Sequence, residues 1–382
     1  MAYRVNLGNS VGGQQETMLT SRAIVGRALA GSTTPRPATG PLAVHYCARY
    51  AGISLRRYTT DVNAMVASIT QYYEAFQPDS IWLSADTWVT AEAMGARVGF
   101  ASDEQPMGGV GAPCVRTAAD IDSIAAPDPS TQGRCPLMLE ALRQLVQRFG
   151  RDVFIVACFD QYPFSLACAL MGIDQLMLKL IDDRPMVQAL MTRCAEYTAA
   201  YANALADVGA AMLSGGDSPA GLVGPDLYGE VVWPAEQQLI RRLRATTKVP
   251  ISLHICGDAT PILPAMATSG ADVLELDHEV DMTSAATVVG PDVALWGNLD
   301  PVSVLAHGTP DSVRAATRAL LAAIDRAGHP RFVLSSGCTL AVETPAENVH
   351  AMLDAAAHWG NAETARGGDA KTWKKSNRSH GS

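Results

Sequence analysis

The sequence predicts an α/β fold, a (β/α)₈ TIM barrel with an N-terminal helical extension and an insertion after the second strand. Eight short apolar runs recur along the chain, helical stretches separate them, and polar or metal-binding residue types follow several of the runs. Parallel strands that are covered on both faces form continuous apolar runs, and a barrel builds its active site at the carboxyl ends of its strands. A count of eight such βα units favours a barrel.

The predicted strands are the apolar runs between the helical stretches, and both sets are defined by their numbers. The strands are 42–47, 80–85, 153–159, 210–216, 251–256, 272–277, 293–298 and 332–337. The helical stretches include 60–76, 138–149, 185–207, 311–327 and 345–359. An open doubly wound sheet is the structural alternative, but no G-x-G-x-x-G motif follows the first strand.

The chain divides into three predicted regions. Residues 1–40 form a helical extension, with a helix over 21–30, and a proline-rich linker. Residues 41–360 form the catalytic barrel, in which 86–137 is an insertion that we expect over the barrel mouth. Residues 361–382 are polar and basic and are predicted to be a disordered tail.

Composition excludes several classes of function. The net charge of −9 argues against a nucleic-acid partner, which would need a basic surface. The first residues lack a signal peptide, and no run of eighteen apolar residues predicts membrane insertion. We therefore expect a cytoplasmic protein whose eight cysteines stay reduced and are buried, catalytic or metal-bound.

The candidate metal ligands are His254, Cys256 and Cys338. Residues i and i+2 of a strand point to the same side, so His254 and Cys256 can present a nitrogen and a sulfur to one point. Cys338 follows the eighth strand, and a barrel brings distant strand ends to one rim. One histidine and two cysteines suit zinc, and three protein ligands leave a position for substrate. From spacing alone, packing of these residues in the core is an open alternative.

Other polar residues follow the predicted strands at the same rim. Asp217 follows the fourth strand, and we expect it to act on the bound substrate or to fill the open metal position. Asp86, His278 and Glu279 follow the second and sixth strands. Asp300 precedes a proline, a position at which we expect a carboxylate to cap the next helix.

The sequence resembles the uroporphyrinogen decarboxylase superfamily, and within it the methylcobamide:coenzyme M methyltransferase branch. The motifs that carry the resemblance span 18–358 and are His254-x-Cys256-Gly257-Asp258, Gly337-Cys338, Pro163–Ala167, Gly297–Pro301, Asp217–Ala220 and Gly224–Pro234. The resemblance implies a zinc ion held by His254, Cys256 and Cys338. It also implies transfer of a methyl group from a methyl-Co(III) corrinoid to a small thiol such as coenzyme M.

The sequence departs from the family in two places. The Arg-Gln-Ala-Gly-Arg motif of uroporphyrinogen decarboxylases is replaced by Cys47–Ile53, which lacks the arginine pair and disfavours decarboxylation of the tetrapyrrole. The Asp-x-His-x-x-Gly pattern of a cobalamin-binding domain is absent as well, so we expect a separate corrinoid protein to supply methylcobalamin.

Two alternatives to the thiol methyltransferase stay open. One is a methylcorrinoid:tetrahydrofolate methyltransferase, which needs no zinc-activated thiol. The other is a uroporphyrinogen decarboxylase-like protein with a structural metal or a binding role, which a fourth protein ligand would favour. The sequence does not identify the thiol, the ultimate methyl donor or the oligomeric state.

Overall fold

A computed structural model describes residues 19–100, 107–108 and 112–360. Its main sheet has eight parallel strands that curl into a nearly closed barrel with helices around it, which confirms the predicted fold class. The predicted tail at 361–382 and residues 1–18 of the extension lie outside the described residues. Residues 101–106 and 109–111 of the insertion lie outside them as well.

The strands follow the predicted order along the chain, with one small additional hairpin. They are β1 (Ala38–Thr39), β2 (Ser80–Leu83), β3 (Val98–Gly99), β4 (Met107–Gly108), β5 (Phe154–Gln161), β6 (Met212–Gly216), β7 (Ser252–Ile255), β8 (Val273–Leu276), β9 (Ala294–Leu299) and β10 (Phe332–Ser336). The barrel order is β1-β10-β9-β8-β7-β6-β5-β2, and β3 pairs with β4 in the insertion.

Helices connect the barrel strands. Those in the first half are α1 (Ser21–Leu29), α2 (His45–Tyr50), α3 (Leu55–Thr60), α4 (Val62–Phe76), α5 (Val89–Ala93), α6 (Ala118–Ser123), α7 (Cys135–Phe149), α8 (Pro163–Met171), α9 (Ile173–Asp182) and α10 (Arg184–Val208). Those in the second half are α11 (Gly224–Leu227), α12 (Trp233–Arg244), α13 (Leu263–Met266), α14 (Met282–Val289), α15 (Pro310–Ala327) and α16 (Ala346–Ala357).

The prediction of the first strand at 42–47 is wrong. The strand is Ala38–Thr39, within the predicted linker, and residues 45–50 form the helix α2. The apolar residues Tyr46 and Cys47 are buried in the helix rather than in the sheet. A short apolar run has the same composition in a buried helix as in a buried strand, so its periodicity does not separate the two.

Asp79 connects β1 and β2, the two end strands of the sheet, and so closes the barrel. The Asp79 backbone N–H donates to the carbonyl of Thr39 over 3.0 Å, and the Thr39 N–H donates back to the Asp79 carboxylate over 2.9 Å. Arg36 donates two hydrogen bonds of 2.6 and 2.7 Å to the same carboxylate, whose side chain is fully buried. A paired buried charge therefore joins the two ends of the sheet.

Two tryptophans fill part of the barrel interior. The rings of Trp82 on β2 and Trp296 on β9 meet edge to face with centroids 5.6 Å apart. Both indole N–H groups donate to the carbonyl of Gly40, over 3.2 and 3.0 Å, and the Ser335 hydroxyl donates to it over 2.9 Å. Since large aromatic side chains need a partner for their N–H when buried, Gly40 is the shared acceptor that fixes both rings.

Among the described residues, no single helix is long and apolar enough to cross a bilayer. The pair α8 and α9 meets the length and composition criteria together, but it is bent by 108°. Most residues of α8 are buried against the rest of the protein, as expected for a core helix.

We predict that Gly40→Ala destabilises the fold by about 1–3 kcal/mol, because an added methyl group at this position overlaps the ring of Trp296 and the hydroxyl of Ser80. The matched control is Gly26→Ala, where nothing lies within 4 Å of the new methyl group in the exposed face of α1. That variant should gain up to about 1 kcal/mol. Urea denaturation measures both, and equal effects of the two substitutions would contradict this view of the interior.

Candidate metal centre

Three predicted ligands meet at the carboxyl end of the barrel. His254 is near the end of β7, Cys256 follows that strand, and Cys338 follows β10. One donor atom from each lies within 4.8 Å of the others. Because β7 and β10 are separated by β8 and β9 in the sheet, it is the curvature of the barrel that brings these ends together.

A close approach of two loops places Cys338. The backbone of Gly337 lies against the backbone of His278, and a side chain at Gly337 would overlap the His278 amide. The Gly337 N–H donates to the carbonyl of Leu299 over 2.7 Å, which continues the β9–β10 pairing to the residue before the cysteine. Glycine at this position therefore lets Cys338 reach the rim without a clash.

The His254 ring is oriented by its second nitrogen. Nδ1 lies 2.9 Å from the backbone carbonyl of Glu275, which accepts a hydrogen bond, so Nδ1 carries the proton in the neutral ring. Nε2 then has its lone pair directed into the site, 3.0 Å from Sγ of Cys256. Histidines that ligate metals are usually held in this way by a carbonyl or carboxylate on the other nitrogen.

The protonation of the three ligands is strongly linked. The hydrogen bond with Cys338, against the effect of burial, lowers the pKa of Cys256 to about 7, and the Ser218 hydroxyl assists by donating to Cys256 Sγ over 3.0 Å. The same contact with Cys256, together with burial, raises the pKa of Cys338 to about 12. Burial alone would lower the pKa of His254, but Cys338 and Glu275 raise it to about 9. A cation that displaces these protons would relieve the crowding of donors.

The donor set fits a zinc ion. Imidazole nitrogen and thiolate sulfur are the ligands that zinc prefers, and a catalytic zinc keeps three protein ligands and one open position. Cys256 and Cys338 are both partly accessible from a cavity of about 220 Å³ at the barrel mouth. Among the described residues, no fourth His, Cys, Asp or Glu belongs to this cluster.

Glu275 supports the centre from inside the barrel. Its carboxylate accepts hydrogen bonds from the hydroxyls of Ser214, over 2.7 Å, and of Ser252. Burial raises the pKa of Glu275, while His254 and the two serines oppose that shift. The inward residues of three adjacent strands thus form a polar layer beneath His254.

Asp217 lies close to the centre but belongs to another cluster. It is completely buried, and its carboxylate accepts from the Ser165 N–H over 2.6 Å and faces Glu236. Burial raises the pKa of Asp217 to about 6 and that of Glu236 further, so the two carboxyls share a proton. The hydroxyl of Tyr228 donates to Glu236 over 2.7 Å. The structure therefore does not bring the Asp217 carboxylate to the three ligands.

The insertion supplies an ion pair at one wall of the cavity. Arg134 donates to both oxygens of Asp86, with Nη2–Oδ1 at 3.1 Å, and to Glu92 over 2.6 Å. The Trp88 N–H also donates to Asp86 over 2.8 Å. The charge of Asp86 is thus paired and its oxygens are satisfied.

Asp160 lines the same cavity from an irregular part of β5. The pairing of β5 with β6 shifts register between Cys158 and Gln161, and Asp160 has φ of +66°, in the left-handed region that few non-glycine residues adopt. Oδ2 accepts from the N–H and hydroxyl of Thr90 over 3.0 and 3.2 Å. Oδ1 is buried and has no hydrogen-bond partner. A bulge of this kind redirects a side chain towards a site.

The remaining rim residues have structural contacts. Asp300 accepts from the N–H groups of Val302 and Ser303 over 2.8 and 2.9 Å, which confirms the predicted cap. His278 pairs with Asp277 over 2.6 Å and lies 3.6 Å from Asp300. These side chains form a separate network beside the centre.

Sequence reasoning missed three residues of the site: Ser218, Glu275 and Asp160. Ser218 comes directly after Asp217, and Asp160 directly after the apolar run of the third predicted strand, so their positions at strand ends were visible. Glu275 lies within the predicted strand 272–277. A charged residue among the apolar residues of a strand indicates a specific role.

The chain matches the family model described as "Uroporphyrinogen decarboxylase (URO-D)" over residues 20–359. It is 30% identical over 247 residues to the methylcobamide:CoM methyltransferase MtbA of Methanosarcina mazei, covering 64% of this chain and 70% of that protein. It is 28% identical to the uroporphyrinogen decarboxylase of Crocosphaera subtropica, covering 79% of this chain and 84% of that protein. A solved methyltransferase from Methanosarcina mazei superposes with a TM-score of 0.80 at 24% identity, over 89% of this chain and 99% of that one.

We predict that Asp160→Asn stabilises the protein relative to the wild type as pH rises. Burial and the neighbouring Asp86 raise the pKa of Asp160 to about 8, so the folded state holds a proton that the unfolded chain releases above about pH 4. Wild-type stability therefore falls between about pH 4 and pH 8, and asparagine lacks this loss. Urea unfolding should show a difference that grows by about 2 kcal/mol or more, since each pKa unit corresponds to about 1.4 kcal/mol.

The control for this comparison is Asp292→Asn, whose side chain is 94% exposed and lies just before β9, at the opposite end of the barrel. Its stability should follow that of the wild type at every pH. If the free energy of unfolding changed with pH in the same way for Asp160→Asn and the wild type, the raised pKa of a buried Asp160 would be contradicted.

Proposed function

The chain belongs to the uroporphyrinogen decarboxylase (URO-D) family and is a methyltransferase, and we propose that it uses zinc to transfer a methyl group from a methyl-Co(III) corrinoid to a small thiol. The corrinoid is carried by a separate protein. The observation that carries the proposal is the cluster of His254, Cys256 and Cys338 at the edge of a cavity. The similarity to relatives such as the methylcobamide:CoM methyltransferase MtbA supports it.

The cluster fits activation of a thiol for three reasons. It has three donors, so a substrate sulfur can take the remaining position of a tetrahedral ion. Two of the donors are cysteines, which as thiolates keep electron density on the metal and leave a coordinated sulfur nucleophilic. The donors lie at the end of the cavity, so the acceptor can approach from the barrel mouth.

Zinc, when bound, acidifies a coordinated thiol so that its sulfur is ionised at neutral pH. The residues of the chain hold and orient this centre. The carbonyl of Glu275 keeps the His254 nitrogen directed at the ion, and the Ser218 hydroxyl stabilises negative charge on Cys256. The apolar side chains of Leu42, Val44 and Trp82 line the same cavity and limit access of water.

The transfer balances without a further reactant. The thiol loses its proton to solvent on binding, and its sulfur supplies both electrons of the new C–S bond. The methyl group leaves cobalt without the two electrons of the Co–C bond. These electrons stay on cobalt and reduce Co(III) to Co(I). The products are a thioether and a corrinoid that the partner system must methylate again.

Decarboxylation of uroporphyrinogen is a poorer fit to this cavity. A tetrapyrrole with several carboxylates needs cationic side chains, but none of the described residues that line the cavity is lysine or arginine. The guanidinium of Arg134 lies beside the cavity wall, but it is paired with Asp86 and Glu92. The cavity therefore supports the methyltransferase over the decarboxylase activity.

Asp217 is proposed to position the centre rather than to contact the thiol. Its backbone N–H donates to the carbonyl of His254 over 2.8 Å, and the residue after it, Ser218, donates to Cys256. The buried carboxyl pair with Glu236 anchors this loop. We further propose that 41–360, together with the strand β1 just before it, form the catalytic unit.

We predict that Cys256→Ala and Cys338→Ala each lose bound zinc, because two remaining ligands bind it weakly, with affinity reduced by at least about 100-fold. Cys114→Ala is the control, since Cys114 is exposed in the insertion and lies outside the cluster. Metal analysis after dialysis against a weak chelator gives the zinc content of each variant, and circular dichroism checks that the barrel is intact. Stoichiometric zinc in both ligand variants would refute the assignment.

We also predict that the zinc-loaded wild-type protein demethylates free methylcobalamin only when a thiol is present, with the change in corrinoid absorbance as the measurement. Coenzyme M, homocysteine and tetrahydrofolate are compared as acceptors. The ligand variants should lose about 100-fold or more in rate, whereas Cys114→Ala keeps it. Turnover with tetrahydrofolate alone would contradict the thiol mechanism and assign the protein to the folate-dependent alternative.

A further inference from the structure

The cavity at the metal centre has an uneven distribution of charge. Its lining includes three carboxylates, Asp86, Asp160 and Glu275, and no lysine or arginine among the described residues. Burial lowers the pKa of His45, whose Nε2 lies 2.6 Å from the carbonyl of Ala85, so this ring is neutral near pH 7. The other lining histidine, His254, belongs to the metal cluster. No described cation in the lining is therefore available to an anionic ligand.

The three carboxylates differ in what they still need. Arg134 and the Trp88 N–H satisfy both oxygens of Asp86. Two serine hydroxyls donate to Oε1 of Glu275 inside the barrel. Asp160 differs in that its Oδ1 is buried and has no hydrogen-bond partner, while Thr90 donates to Oδ2.

An unpartnered carboxylate oxygen in a buried position is costly, and a ligand that supplies the missing donor is one way in which proteins offset that cost. The register shift and the left-handed backbone hold Asp160 in this position at a further conformational cost. Burial raises its pKa to about 8, and a hydrogen-bond donor or a positive charge in the cavity would favour the ionised form. Asp160 thus lacks a donor that a ligand could bring.

The charge of the zinc-loaded centre would also disfavour an anionic group on the substrate. A divalent ion with two cysteinates is formally neutral, and a bound substrate thiolate makes the centre negative. A sulfonate or carboxylate on the same small substrate would add a second negative charge in a cavity whose described lining has no lysine or arginine to offset it. Like charges in such surroundings repel strongly because little water screens them.

Resting on the function proposed above, we propose that the thiol acceptor carries an ammonium or another hydrogen-bond-donating group, which binds Asp160, and not an anionic tail. The substrate class is an aminothiol, with a hydroxythiol as the neutral member of the series. Asp160 is then a specificity-determining residue: it contacts the tail of the substrate, while His254, Cys256 and Cys338 act at its sulfur.

The test is calorimetric binding of three thiols that differ only in the tail to the zinc-loaded protein, without a methyl donor. They are 2-aminoethanethiol, 2-mercaptoethanol and 2-mercaptoethanesulfonate. The wild type should bind the aminothiol at least about tenfold more tightly than the sulfonate, as expected for one charge-assisted hydrogen bond, with the hydroxythiol between them.

The substitution Asp160→Asn isolates the tail, because the acidity of each thiol is the same for both proteins. This variant should lower the affinity for the aminothiol by about tenfold and change the affinity for the hydroxythiol by less than about threefold. Asparagine also tolerates the left-handed backbone, so the fold should be retained. Asp292→Asn removes the same charge at the other end of the barrel and should leave all three affinities unchanged.

The outcomes separate the two proposals. If the sulfonate thiol binds as tightly as the aminothiol, or if Asp160→Asn leaves their ratio unchanged, the inference about the tail is overturned while the thiol methyltransferase stands. If the protein holds zinc but binds none of the three thiols, the proposed function fails and the inference fails with it.

Discussion

The site depends on the curvature of the sheet, which keeps the ends of β7 and β10 beside each other. Two strands lie between them, so a flat sheet would hold Cys338 about 14 Å from the strand of His254 and Cys256. Closure depends in turn on the buried Asp79 at the seam and on the tryptophans that share the Gly40 carbonyl. The cluster of His254, Cys256 and Cys338 is therefore a product of the whole barrel rather than of one local motif.

The two walls of the cavity are built by different elements of the barrel. The proposed metal ligands come from the end of β7, the residue after it and the loop after β10, and the carbonyl of Glu275 keeps the His254 ring in one orientation. The opposite wall comes from β2, β5 and the insertion, with Asp86 and Asp160. Because different elements build the two walls, the residues that face the substrate tail can vary without disturbing the proposed metal ligands. Barrels in general allow this kind of variation.

Much of the fold and the cluster of His254, Cys256 and Cys338 could be predicted from the sequence. His254 and Cys256 lie two residues apart at the end of a predicted strand, so their common direction follows from the period of two, and Cys338 follows the apolar run of the last strand. The prediction of the first strand at 42–47 is wrong because residues 45–47 belong to the buried helix α2, and a short apolar run has the same composition in a strand and in a buried helix. The position of Asp160 after a strand follows from the sequence, but its left-handed backbone at the register shift does not, and the burial of Asp217 beside Glu236 depends on tertiary packing.

We propose that His254, Cys256 and Cys338 hold a zinc ion whose fourth position accepts a thiol. X-ray absorption at the zinc edge, recorded on the zinc-loaded protein with and without a thiol, tests it most directly. We expect two sulfur ligands at about 2.3 Å without the thiol and three with it, beside one histidine nitrogen. A sulfur count that stays the same when the thiol is added would contradict it, because the coordination sphere would then be closed to substrate.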